Sequence, residues 1–152
     1  MAEYILKDLI KREYLQYLAQ VESAGTAALE GYPAAEFTTA VCEKFGIDTT
    51  PHIARSINPD MVKRADLILC MGSQHKSELI ETFPDFQDKI FLLKQFARKY
   101  ADTYPTIEDP YGGPKEYYEE IFLEIREEMF RIWPEITHRI EQKWLMENIK
   151  HR

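Results

Sequence analysis

Ala65-Asp66-Leu67-Ile68-Leu69-Cys70-Met71-Gly72 sets an unbroken apolar run, Leu67 to Met71, between a carboxylate and a glycine. A half-solvated edge strand would place a polar side chain at every second position. A continuous run is what a parallel strand covered on both faces requires. Ile90-Phe91-Leu92-Leu93 is a second run of the same kind, and Val21-Glu22-Ser23, stopped by Gly25, is a third and shorter strand candidate. Runs of this type separated by helical segments argue for an α/β fold, three-layered, with a parallel sheet flanked by helices.

The intervening segments supply the helices. From Met1 to Leu18 the apolar positions Leu6, Ile10, Tyr14 and Leu18 recur every four residues with Ile5 and Leu9 beside them. This predicts an amphipathic helix that begins at the first residue. Ala34 to Phe45 reads as a helix closed by Gly46, and Asn58-Pro59-Asp60 places a capping side chain before a proline at the first helical position, opening a helix to about Ala65. Ser77 to Phe83 is a short helix ended by Pro84. Phe96 to Gly113, with Pro105, Pro110 and two glycines, should be a long irregular loop of the kind that carries function. Beyond it, Tyr117, Ile121, Ile125, Met129, Ile132, Ile136 and Ile140 mark one face of a long helix, with Pro134 as an expected kink. The expected organisation is one domain over 1–152, with about 141–152 as a C-terminal helical extension.

Composition narrows the function classes. The 152 residues are 45% apolar, enough for a real core, and 19 basic against 26 acidic side chains give a net charge of −7. Such a chain repels a polyanion, so no nucleic-acid partner is expected. Charged residues through the first helix leave neither a signal-peptide core nor a membrane span. Cys42 and Cys70, the only cysteines, form no CxxC pair, and the four histidines are scattered. No disulfide framework, zinc site or other metal is expected, and a reducing, cytoplasmic setting fits.

Two segments could carry chemistry. Cys70-Met71-Gly72-Ser73-Gln74-His75-Lys76 puts a thiol at a strand end with a cation at the sixth position after it. Lysine cannot form the planar fork that arginine offers a phosphate, and the loop has a single glycine to let its amides converge. Cys70 therefore reads as a small buried hydrophobe ending a core strand, and Cys42 as core or near-surface filler. Asp109-Pro110-Tyr111-Gly112-Gly113 is turn chemistry taken alone.

Taken with the rest of the chain, that turn resembles the general-acid loop of the low-molecular-weight protein tyrosine phosphatases. Met1-Ala2-Glu3 is similar to the start of that family's first helix, and Ser23-Ala24-Gly25-Thr26 to its Ser-Ala-Gly-Thr segment. Gly46-Ile47-Asp48 leading to His52-Ile53-Ala54-Arg55 resembles its Gly-Ile … His-x-Ala-Arg segment, and Asp66 to Met71 its Ala-Asp-Leu-Ile-Leu-x-Met strand. The likeness covers the chain to about Ile140.

The resemblance implies hydrolysis of a phosphotyrosine protein or a small aryl phosphate through a cysteinyl phosphate, with no cofactor. Asp109 would be the general acid, Tyr111 the wall against which the substrate ring packs, and Ser23, His52 and Arg55 the structural support of the site. One part of the family pattern is not in this sequence: the first strand and the Cys-x5-Arg nucleophile loop precede the position of Met1. Gly72 also stands where many members carry an acidic residue. The expectations are therefore a truncated phosphatase, inactive by itself, whose sheet lacks its first central strand and self-associates through the exposed edge. The alternative is a pseudophosphatase or protein-binding module without catalysis.

Overall fold

The computed structural model describes residues 1–101 and 103–149. Five helices and two strands follow in order: α1 (Ala2–Arg12), α2 (Glu36–Lys44), α3 (Pro59–Arg64), β1 (Ile68–Cys70), α4 (Ser73–Thr82), a 3-10 turn (Pro84–Lys89), β2 (Ile90–Leu92) and α5 (Lys115–Ile149). β1 and β2 pair in parallel, with Ile68 opposite Ile90, Leu69 opposite Phe91 and Cys70 opposite Leu92.

The period-two alternation of a strand splits these apolar runs between two cores. Ile90 and Leu92, with Cys70 and Leu79, form one core beneath α4. Leu67, Leu69, Met71 and Phe91 face the other, where α1, α2 and α5 contribute Ile5, Leu9, Val41, Phe122 and Ile132. Phe122 is fully buried and stacks on Phe45 with ring centroids 4.6 Å apart. Each such side chain contributes about 1.5–3 kcal/mol of burial free energy. The three-layer α/β arrangement expected from the sequence is the one observed.

Local signals explain most boundaries. Asn58 Oδ1 accepts from the Met61 amide at 2.9 Å, capping α3 with Pro59 in its first turn. Gly46, at φ +75°, closes α2, with Gly46 N–H bonded to Glu43 O and Ile47 N–H to Cys42 O. Every position of the expected α5 stripe but Tyr117 and Ile140 is buried, and the helix runs through Pro134 without a break. Residues 150–152 of the expected C-terminal extension lie outside the described residues. No helix among the described residues is long and apolar enough to cross a membrane.

Three expectations need correction. α1 ends at Arg12 instead of continuing to Leu18, because Tyr14 turns left-handed at φ 58° while Leu15 N–H returns to Ile10 O. α4 starts at Ser73, directly after Gly72, and not at Ser77. The third strand does not form either. Among the described residues no backbone hydrogen bond reaches Val21, Glu22, Ser23 or Ala24; pairing resumes only at Gly25, which makes a parallel bridge with Ser56. The segment runs instead along a cavity of about 1190 Å³ that separates it from Leu67, Leu69 and Met71. An extended segment without a neighbouring ladder has no hydrogen bonds to make it a strand. The same cavity leaves Leu67, Leu69 and Met71 only half-buried, although their run reads as a fully covered strand.

Candidate active site

The Asp109 to Gly113 segment is held at the C-terminal end of β1. Ile107 N–H donates to Met71 O at 2.8 Å, and the Thr106 hydroxyl lies 3.4 Å from both the amide and the hydroxyl of Ser73, the first residue of α4. Gly72 is buried, and a Cβ there would meet the Thr106 methyl and His75 Nδ1 at 3.4 Å, an ordinary contact.

Within the turn, Asp109 Oδ1 accepts from the Tyr111 amide at 3.0 Å, and Gly113 N–H closes on Pro110 O at 2.9 Å. Gly112 supplies the positive φ, +83°, which the third residue of such a turn demands. Gly113 is glycine for another reason, since a Cβ there would sit 3.0 Å from both Pro110 O and the Tyr117 ring. The result is a hydrogen-bonded turn that exposes Asp109 and leaves Tyr111 80% accessible. Both side chains line the large cavity, together with Glu3 and Ser23, and also a neighbouring one of about 450 Å³ that includes Thr49 and His52.

Opposite the turn stands a polar cluster built on Glu3. Although 5% exposed, its carboxylate accepts from Lys7 Nζ and from Ser23 Oγ, with His52 Nδ1 at 3.7 Å. Burial pushes this carboxyl up, but the bonds from Lys7 and Ser23 and the nearby charges more than offset it, and it lies below its ordinary range. His52 is lowered chiefly by burial, only partly opposed by Glu3, so at neutral pH its ring is uncharged and the Glu3 contact is not an ion pair. The ring packs edge-on against Tyr4 with centroids 5.9 Å apart.

Asp109, Tyr111, Ser23 and His52 thus converge on one region. Arg55 enters through its backbone, its carbonyl accepting from Gly25 N–H at 3.0 Å and fixing the end of the Ser23 segment. Sequence reasoning missed Glu3 as the organiser. Its signal was available: Glu3 shares the i, i+3, i+7 face with Leu6 and Ile10, so a charge there had to be buried and paired.

Neither cysteine offers a nucleophile. Cys70 is 5% exposed and burial pushes its thiol up to about 11, only slightly opposed by Lys76. Cys42 is fully buried and also raised by desolvation. A thiol attacks as its thiolate, and both environments suppress that form.

Comparison with known proteins gives one consistent answer. The family model described as low molecular weight phosphotyrosine protein phosphatase matches residues 1–143. A low molecular weight protein-tyrosine-phosphatase, Ptp, of Acinetobacter johnsonii is 35% identical over 126 residues, covering 83% of this chain and 80% of its own. A protein-arginine-phosphatase of Geobacillus stearothermophilus is 37% identical over 99 residues, 65% of this chain and 64% of its own. Among solved structures, the low molecular weight protein tyrosine phosphatase of T. tengcongensis superposes with a TM-score of 0.80 at 32% identity, covering 88% of each chain. With the fold, the order of its segments and these matches in agreement, the chain belongs to the low molecular weight phosphotyrosine protein phosphatase family.

Proposed function

We propose that these 152 residues hold the acid and substrate-wall half of a phosphotyrosine phosphatase site, within one phosphatase-like domain, and that turnover requires a Cys-x5-Arg loop in addition. In that reaction the thiolate attacks phosphorus in line, and Asp109 in its acid form protonates the phenolate oxygen as the P–O bond breaks. The resulting Asp109 carboxylate then takes a proton from the water that attacks the cysteinyl phosphate, releasing inorganic phosphate and the thiolate. Tyr111 lies against the substrate ring, while Ser23, His52 and Arg55 support the loop side of the site. The arginine and loop amides would hold the transition-state charge, usually the largest single contribution to such catalysis. The cytoplasm is the proposed location, consistent with two unpaired, buried thiols.

The observation that carries this reading is the hydrogen-bonded Asp109–Gly113 turn, held at the end of β1 and sharing a cavity with the Glu3–Ser23 cluster. Because neither Cys70 nor Cys42 can be the nucleophile, the 152 residues alone are expected not to turn over. A second reading, hydrolysis of phosphoarginine, is favoured by the relatives named protein-arginine-phosphatases, 37% identical in Geobacillus stearothermophilus and 30% in Bacillus subtilis.

The test joins an apolar strand, a Cys-x5-Arg loop and Ser-Pro ahead of Met1 and compares this polypeptide with the 152 residues alone on a chromogenic aryl phosphate. The extended form should hydrolyse it and the shorter one should stay at background. Relative kcat/KM on phosphotyrosine and phosphoarginine peptides then chooses between the substrate classes. An extended polypeptide that folds yet is inert on both would leave a binding module without catalysis as the better account.

A further inference from the structure

α5 carries a second apolar row that the core does not use. A helix returns to within about 20° of the same direction every seven residues. Leu123, Phe130, Thr137 and Trp144 stand at that spacing. The core stripe of the same helix, Ile121, Ile125, Ile132 and Ile136, is buried, whereas Leu123, Phe130 and Trp144 are exposed. Thr137 turns its hydroxyl back onto Trp133 O at 3.2 Å and Pro134 O at 2.9 Å, so it adds no unmet donor to the row. Residues 141–149, the end of the helix, are all exposed as well. A few helical turns are marginal in water without something to pack against. Charge divides along the same helix: residues 115–128 hold six carboxylates and two cations, and residues 138–152 hold four cations and two carboxylates.

We propose that this face of α5 is an interface with a second copy of the chain, the two helices packed antiparallel about a two-fold axis between Trp133 and Pro134. In that register Leu123 of one copy lies opposite Trp144 of the other and Phe130 opposite Thr137, and the symmetry makes each contact twice. Arg126 falls opposite Glu141. Arg126 lies over the Phe45 ring at 4.8 Å, and among the described residues neither it nor Glu141 has an ion pair, so the second copy supplies a partner to both. A parallel pair would set six carboxylates against six, which decides the direction. The overlap covers residues 118–149, about 48 Å long at about 1.5 Å per residue and about 10–12 Å wide, or about 1,000–1,150 Å² over the two copies. That only just clears the about 1,000 Å² expected of a specific contact, so the dimer is weak, with a micromolar Kd. None of these residues lines either cavity of the site, and the inference goes beyond the proposed function without resting on it.

Sedimentation velocity of the 152-residue chain should show a monomer–dimer equilibrium between about 1 and about 200 µM. Trp144→Ser, at the exposed end of the helix, and Phe130→Lys should each weaken it at least about tenfold. Arg126→Glu and Glu141→Arg should each weaken it about tenfold, while an equimolar mixture of the two should associate like the parent, because every copy in the mixed dimer meets an opposite charge at both contacts. When Leu123→Cys is mixed with Trp144→Cys, air oxidation should give the mixed disulfide in preference to either homodisulfide, Cys42 and Cys70 being buried. If Arg126→Glu does not fold, the disulfide test decides alone. The dimer should persist in the extended polypeptide. A monomer at every concentration, parent-like dimers in both Trp144→Ser and Phe130→Lys, no association of the folded charge mixture, or an excess of homodisulfides would overturn the proposal. So would a dimer that is lost on extension, which would place self-association at the sheet edge instead.

Discussion

Glu3→Gln tests the polar cluster that faces the acid turn. The substitution keeps the side-chain shape and removes the charge from a group 5% exposed that accepts from Ser23 and Lys7. A hydrogen bond to a charged acceptor contributes about 1.5–3 kcal/mol and a neutral one about 0.5–1.5 kcal/mol, so the buried Ser23 bond alone should lose about 1 kcal/mol. The Lys7 side chain is 44% accessible, and its ion pair is screened and adds at most a few tenths. The expected cost at pH 7 is therefore about 1–2 kcal/mol, read from urea unfolding as a lower midpoint at unchanged slope.

The sign of its pH dependence follows from the direction of the shift. The Glu3 carboxyl is held below its ordinary value of 4.5 in the folded protein, so its contribution is full above that value and is lost as pH falls through the folded pKa. The gap between parent and variant should thus be constant from pH 8 to about pH 5 and close below about pH 4.5. A cost under about 0.5 kcal/mol, or a gap that persists unchanged to pH 3, would refute the reasoning that the charge itself organises the cluster.

Other outcomes are equally specific. Tyr14→Gly removes a left-handed strain of about 1–2 kcal/mol at the end of α1 and should raise stability by about 0.5–1 kcal/mol in the same urea titration, after about 0.5–1 kcal/mol for the greater freedom of glycine in the unfolded chain is subtracted. Arg131→Met strips bonds from Glu128 and from the carbonyls of Leu93 and Phe96, and thermal unfolding should show a loss of about 2–4 kcal/mol because the 7%-exposed Glu128 carboxylate loses its bond from Arg131. Gly112→Ala forces a side chain to φ +83° and should cost about 1–2 kcal/mol while displacing Asp109, so in the extended polypeptide kcat should fall more than KM changes.

The sequence made legible what depends on local periodicity and turn chemistry. The Leu67–Met71 and Ile90–Leu93 runs, the α5 stripe, the Asn58 cap and the Gly46 stop each follow from side chains within a few residues of the feature. The end of α1 was not legible, because the left-handed residue that stops it is Tyr14, which carries none of the conformational licence of glycine. Val21 was misread because strand formation depends on a neighbour elsewhere in the fold, and the neighbouring position is a cavity. At the site, Asp109 and Tyr111 were proposed from turn chemistry and family likeness together, and both line the cavity beside β1. Glu3 was passed over because its burial and its bond from Ser23, twenty residues away, depend on the tertiary fold.

The central claim is that Asp109 protonates the leaving oxygen, and leaving-group dependence tests it most directly. In the extended polypeptide, Asp109→Asn should lower kcat/KM by about 10²–10⁴ on phenyl phosphate, whose phenolate needs the proton, and by under about tenfold on 2,4-dinitrophenyl phosphate, whose phenolate leaves unaided. An equal loss on both substrates would show that Asp109 serves the site in some other way, and no loss on either would remove it from the reaction.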